Sequence, residues 1–192
     1  GVAAALGPVV LGAAIVGLAL AWAYSAPPLR LKLNGWWGNL AVGLSYEGLA
    51  WFTGAAVLLH GMPSWEIVTL CILYSLGAHG IMVLNDFKSV EGDIKMGVRS
   101  LPVQLGVEPA ARFACWSMAV PQMLVIALLL SWGQVFHAGL VMLSLLAQAA
   151  AMQTLMADPR GKAPWYNGVG VLLYVLGMLV SAFAVAAHLG GA

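Results

Sequence analysis

The chain has 192 residues, 62% of them hydrophobic and only 8% charged, with a formal net charge of +1. A mean hydropathy of +0.93 excludes an ordinary water-soluble domain, and at roughly 20 residues per apolar helix the length accommodates about six membrane spans with short connections. The two cysteines, Cys71 and Cys115, lie in apolar runs without CxxC spacing, so neither a disulfide framework nor a zinc site is implied.

In chain order, residues 1–24 read as a first span with a bend at Pro8. Residues 25–34 hold Pro27 and Pro28, which stop a helix and stiffen an exit loop carrying Arg30 and Lys32. Residues 36–59 form a second span with Glu47 near its middle, and a Gly/Pro turn at 60–64 leads to a third at 65–84. After the charged stretch 85–100, residues 101–109 lead into a fourth span at 110–132, kinked at Pro121. A turn at 133–137 precedes a fifth span at 138–157; residues 158–167 end it, and a sixth covers 168–188. The fold class is therefore all-α, a polytopic transmembrane helix bundle in the lipid bilayer, in one domain over 1–192.

Strict alternation of direction puts all eight Lys and Arg on one face: Arg30, Lys32, Lys88, Lys95, Arg99, Arg112, Arg160 and Lys162. The opposite connections carry none, and this bias marks the basic face as cytoplasmic and the C-terminus as lying on the far side. Such bases orient a membrane protein, and no nucleic acid is expected as a partner. Trp22, Trp36, Trp37, Trp65, Trp132 and Trp165 stand at span ends as an interfacial aromatic belt, and His60, His137 and His188 fall toward the far face.

The stretch 85–100 (NDFKSVEGDIKMGVRS) concentrates Asp86, Lys88, Glu91, Asp93, Lys95 and Arg99 in a chain otherwise nearly free of charge. If the preceding helix continues through it, Asp86, Ser89 and Asp93 share one face at i, i+3 and i+7. Gly92 and Gly97 would then let the chain unwind and turn Glu91 toward that face. Gathered carboxylates suit a hard cation such as Mg2+, which completes its shell with waters and substrate phosphates. Lys95 and Arg99 would meet remaining phosphate charge. A solvated loop between two membrane helices accounts for the same residues, and the spacing leaves both readings open.

The run HGIMVLNDFKSVEGD followed by MGVRSLPVQLG closely resembles the second aspartate-rich motif of intramembrane prenyltransferases of the UbiA type. NDFKSVEGD is most similar to the branch that esterifies (bacterio)chlorophyllide with a C20 isoprenoid alcohol. YSAPPLRLK at 24–32 resembles the basic segment of the same enzymes, and GLSYEGLAWFTG at 43–54 the bacteriochlorophyll members. The resemblance implies transfer of a geranylgeranyl or phytyl group from its diphosphate to the (bacterio)chlorophyllide propionate. It implies Mg2+ as cofactor, held by Asp86 and Asp93 with Asn85 and Glu91 in support; many relatives have Asp where Ser89 stands. Arg30, Lys32, Lys95 and Arg99 become candidates for the diphosphate oxygens, and Tyr24 and Ser25 match the motif as well.

For the chlorin, the candidates are Glu47, a costly mid-bilayer carboxylate, with Tyr46, Trp51 and His79, an imidazole that suits a tetrapyrrole metal. Each has a plainer reading as a packing or interhelical residue. The family also carries an earlier aspartate-rich motif in a bundle of about nine helices, of which about six are expected here. Nothing in these residues replaces that motif, and the apolar start at Gly1 reads as that of a fragment. Residues 1–192 are expected to insert into membranes without catalysing prenyl transfer unaided. The readings set against this are a quinone-ring prenyltransferase, a plant-type chlorophyll synthase, a non-catalytic pigment- or haem-binding subunit and a small transporter subunit. Clustering of three of four histidines toward one face, and the scarcity of polar groups at depth, weigh against the last two.

Overall fold

The structure is a computed structural model describing residues 1–190. A short helix α1 (Val2–Ala5) is followed by α2 (Pro8–Ser25), a 3₁₀ turn (Leu31–Leu33), α3 (Gly35–Gly43), a π-helical stretch (Leu44–Leu49) and α4 (Ala50–Leu59). Then come α5 (Trp65–Asp86), two short helices α6 (Val90–Met96) and α7 (Leu101–Leu105), and the long helices α8 (Val107–Ser131), α9 (Val135–Ala157) and α10 (Pro159–Gly190). Six segments are long and apolar enough to cross a membrane, with α3, the π stretch and α4 forming one 25-residue rod. The chain is an integral membrane protein, and its large exposed side chains (Leu18, Leu58, Leu143, Phe183 among them) face where lipid lies.

Several boundaries differ from the sequence expectation, each for a local reason. Pro8 opens a new helix at its first position rather than bending an old one, because Gly7 at φ 114° has already broken the chain. The fourth span, with Pro121 inside it, starts at Val107 rather than 110, directly after Gly106 at φ 86°. Residues 158–167 are no loop: α10 starts at Pro159, which needs no N–H there, and the Asp158 carboxylate accepts from the Gly161 amide at 3.1 Å. Trp116 turns outward from the bundle, with 64% of its surface exposed.

α5 is the central helix, packed against α3, α8 and α10. Its small residues let neighbours close in; a Cβ on Gly80 would lie 2.5 Å from the Ala114 carbonyl oxygen of α8. Polar groups join the helices where the apolar effect no longer discriminates between helix and lipid. The Tyr174 hydroxyl donates to the Tyr74 carbonyl at 2.7 Å, and the Tyr74 and Ser181 hydroxyls are 2.7 Å apart. Gln122 donates to Gln148 Oε1, and Gln148 donates to the Gly170 carbonyl, both at 2.6 Å, tying α8, α9 and α10 together. Replacing Gln148 with Leu removes both bonds, while Gln122 Nε2 keeps the Met118 carbonyl at 2.9 Å; the loss should average about 0.6 kcal/mol per bond and reach about 1.7 at most. Unfolding of the purified variant in mixed micelles reads that loss; unchanged stability would show that the clamp contributes nothing net.

Candidate active site

The site forms where two distant loops pair at the end of the bundle that carries the bases. Asn34 and Arg99 make an isolated parallel bridge: the Gly35 amide donates to Arg99 O at 2.8 Å, and the Arg99 amide to Leu33 O at 2.9 Å. This joins the exit loop after α2 to the segment after α6. Only glycine fits at position 35, since a Cβ there would lie 2.6 Å from the Leu101 backbone nitrogen. Asn34 also caps α3, its Oδ1 accepting from the Trp36 amide at 2.9 Å. The YSAPPLRLK and NDFKSVEGD runs thus come together on one face.

The acidic stretch does not continue α5. That helix ends at Asp86, whose carbonyl accepts from both the amide and the hydroxyl of Ser89 at 3.1 Å, and α6 begins at Val90. Asp93 is nonetheless drawn back, because Ser89 Oγ lies 3.1 Å from Asp93 Oδ2 as well as from Asp86 O. Ser89 thus links the Asp86 backbone carbonyl to the Asp93 carboxylate. Asp86 Oδ2 accepts from Asn39 Nδ2 of α3 at 3.0 Å. Among the described residues no protein hydrogen bond reaches Oδ1 of either aspartate.

Glu91 goes elsewhere. Gly92 stays helical within α6, and the unwinding falls at Gly97, left-handed at φ 69°. Glu91 is carried to the outer side of α6 and pairs with Arg160 of α10, which holds its carboxyl below the ordinary glutamate range. Asn85 is engaged too, its Oδ1 accepting from Asn167 Nδ2 of α10 at 3.1 Å. Among the described residues no three of His, Cys, Asp and Glu cluster as a closed metal cage. Asp86 and Asp93 each keep a hard carboxylate oxygen without a protein hydrogen bond, a donor type that fits a Mg2+ ion completing its shell with water and phosphate. Arg30, Lys32, Lys95 and Arg99 are exposed, and none is in an ion pair among the described residues. Arg30 holds a left-handed backbone (φ 40°, ψ 53°) where it starts the 3₁₀ turn.

Beside this polar end lies a cavity of about 780 Å³ lined by Tyr24, Ser25, Tyr46, Glu47 and Met82 with small residues of α2 and α3. Tyr24 stands within electrostatic reach of Asp86 and Tyr46. Glu47 sits in the π-helical stretch, a feature concentrated at functional sites. The other chlorin candidates are placed apart. His79 is held edge-on between Trp36 and Phe113, with ring centroids at 6.1 and 5.3 Å, and does not line the cavity. Trp51 leans on Tyr74 and lines a smaller apolar recess with Ala182 and Val185. Asn39 carries a sequence signal, a lone amide side chain inside an otherwise apolar span, whereas Asn167 falls in the polar stretch 158–167 and carries none.

The chain belongs to the UbiA prenyltransferase family, whose model matches residues 1–174. It is 61% identical to the bacteriochlorophyll synthase 33 kDa chain of Cereibacter sphaeroides over 94% of this chain and 60% of that protein. It is 40% identical to the chloroplastic chlorophyll synthase of Avena sativa, over 92% of this chain and 47% of that one. A solved structure from work on digeranylgeranylglyceryl phosphate synthase in membranes superposes with a TM-score of 0.73 at 20% identity, covering 95% of this chain and 63% of its own, and so shares the fold. The chain thus spans about 60% of the length of its bacterial relative.

Proposed function

We propose that the protein transfers a C20 prenyl group, geranylgeranyl or phytyl, from its diphosphate to the propionate of (bacterio)chlorophyllide, and that this chain supplies the second carboxylate cluster of the active site. The observation that carries the reading is the backbone pairing of residues 33–35 with Arg99, which ties the loop carrying Arg30 and Lys32 to the segment that follows Asp86 and Asp93. The similarity to bacteriochlorophyll and chlorophyll synthases supports the choice of acceptor.

In this reading Asp86 and Asp93 hold a divalent cation, Mg2+ by donor type, through their free oxygens. When bound, that ion supplies positive charge opposite the departing diphosphate. Arg30, Lys32, Lys95 and Arg99 bind the remaining phosphate oxygens. The allylic C–O bond breaks with its electron pair going to the diphosphate, and the apolar cavity wall keeps water from the carbon left behind. The acceptor propionate, with a carboxyl pKa of about 4–5 by analogy with Glu, is already ionised at neutral pH and forms the new ester C–O bond without an activating base. Tyr46 and Glu47 orient the chlorin from the cavity side. The test is an assay of the natural full-length protein in lipid with each chlorin paired with each diphosphate. Formation of an esterified quinone precursor or phenol in preference to a chlorin ester would overturn the acceptor.

The site face is cytoplasmic in this reading. Single cysteines replacing exposed Met96 and Met62 report it. A membrane-impermeant maleimide added to intact cells should label the Met62→Cys protein, and the Met96→Cys protein only after permeabilisation. The reverse pattern would invert the topology.

A further inference from the structure

We propose that Asn39 is a positioning residue that sets the Asp86 carboxylate for cation binding, an inference that rests on the reading of Asp86 as a ligand. Asn39 is only 9% exposed, sits on α3, and reaches across 47 residues of sequence to put its Nδ2 on Asp86 Oδ2 at 3.0 Å. A carboxylate only accepts hydrogen bonds, so the amide must present its nitrogen there. That bond selects one orientation of the Asp86 side chain and leaves Oδ1 turned away from the donor. The chemistry of the donor matters. A lysine or arginine at this place would orient Asp86 too, but would cancel the negative charge a cation is drawn to, whereas a neutral amide orients the group and leaves its charge intact. Ser89 does the same for Asp93, with a neutral hydroxyl on one oxygen. Each aspartate thus has one oxygen tethered by an uncharged donor, the arrangement by which outer-layer partners orient ligands and tune affinity in metal sites.

A merely structural Asn39 would glue α3 to α5 and act on stability alone. The two roles separate when cation affinity is measured apart from turnover, using Mn2+ as the probe. Full-length protein in lipid nanodiscs is titrated with Mn2+ and read by electron paramagnetic resonance, with thermal unfolding recorded on the same samples. Asn39→Leu is expected to weaken Mn2+ binding by about 10–100-fold, with high Mn2+ recovering most of the lost kcat. Asp86→Asn is the reference. If it leaves Mn2+ affinity unchanged, the reading of Asp86 as a ligand fails and this inference with it. If Asp86→Asn weakens binding while Asn39→Leu stays within twofold of the parent, only the role of Asn39 is overturned. Should Asn39→Leu not accumulate, Asn39→Ala is measured in its place, and failure of both to insert would make Asn39 a folding residue and overturn the proposal.

Discussion

Asp93→Asn in the full-length protein is expected to lower prenyl transfer by about 10²–10³-fold, the scale of losing one group that stabilises developing charge, with the protein still folded in the membrane. The structure explains the second half of that expectation. Asp93 belongs to α6, outside the packed spans, and asparagine keeps the oxygen that accepts from Ser89 Oγ. The substitution removes a charge and almost nothing else. Turnover measured across a Mg2+ series is the readout, and wild-type turnover at saturating Mg2+ would remove Asp93 from the site.

Gly35→Ala should produce the largest structural effect of any single methyl group in the site. The added Cβ would meet three successive backbone atoms, Ser100 Cα, Ser100 C and Leu101 N, within 2.6–3.1 Å. No side chain is there to swing aside, so the two loops must part. Overpacking of this kind costs about 1–3 kcal/mol, and the parting would separate Arg30 and Lys32 from Asp86 and Asp93. Activity is expected to fall at least about tenfold, since a displacement near 1 Å can cost 10²-fold. Mn2+ affinity should fall only as far as the shift of α3, which Gly35 begins, disturbs the Asn39 bond to Asp86. Parental activity in Gly35→Ala would mean that the loop pairing does not assemble the site.

How much of this was legible in the sequence depends on what each residue must satisfy. The six spans were, because a bilayer demands long apolar windows whatever their packing. The shared face of the two motifs also followed, from alternation and from bases confined to one side. The detailed fate of Glu91 did not: its partner Arg160 is 69 residues away, and nothing local says which basic group will come within reach. Glu47 and Trp51 lie four residues apart on one rod but line different cavities, because α2 walls one and α10 the other. Ser89 reads as the absence of an aspartate, whereas in the fold its hydroxyl links the Asp86 carbonyl to the Asp93 carboxylate. The π-helical turn at Leu44–Leu49 carries no pattern of its own in a uniformly apolar segment.

The long-range bonds around Asp86 also impose an order in time. Asn39 precedes Asp86 by 47 residues, so its bond can close as soon as the third span is in place. Asn85 must wait for Asn167, 82 residues later. At a synthesis rate of about 5–20 residues per second, that is a delay of roughly 4–16 s during which an Asn and an Asp stand at the membrane boundary on a nascent protein. The Asn39 amide is the partner already present. α10 completes the polar end, so the bonds around Asn85 and Asp86 are all in place only once that helix has been made.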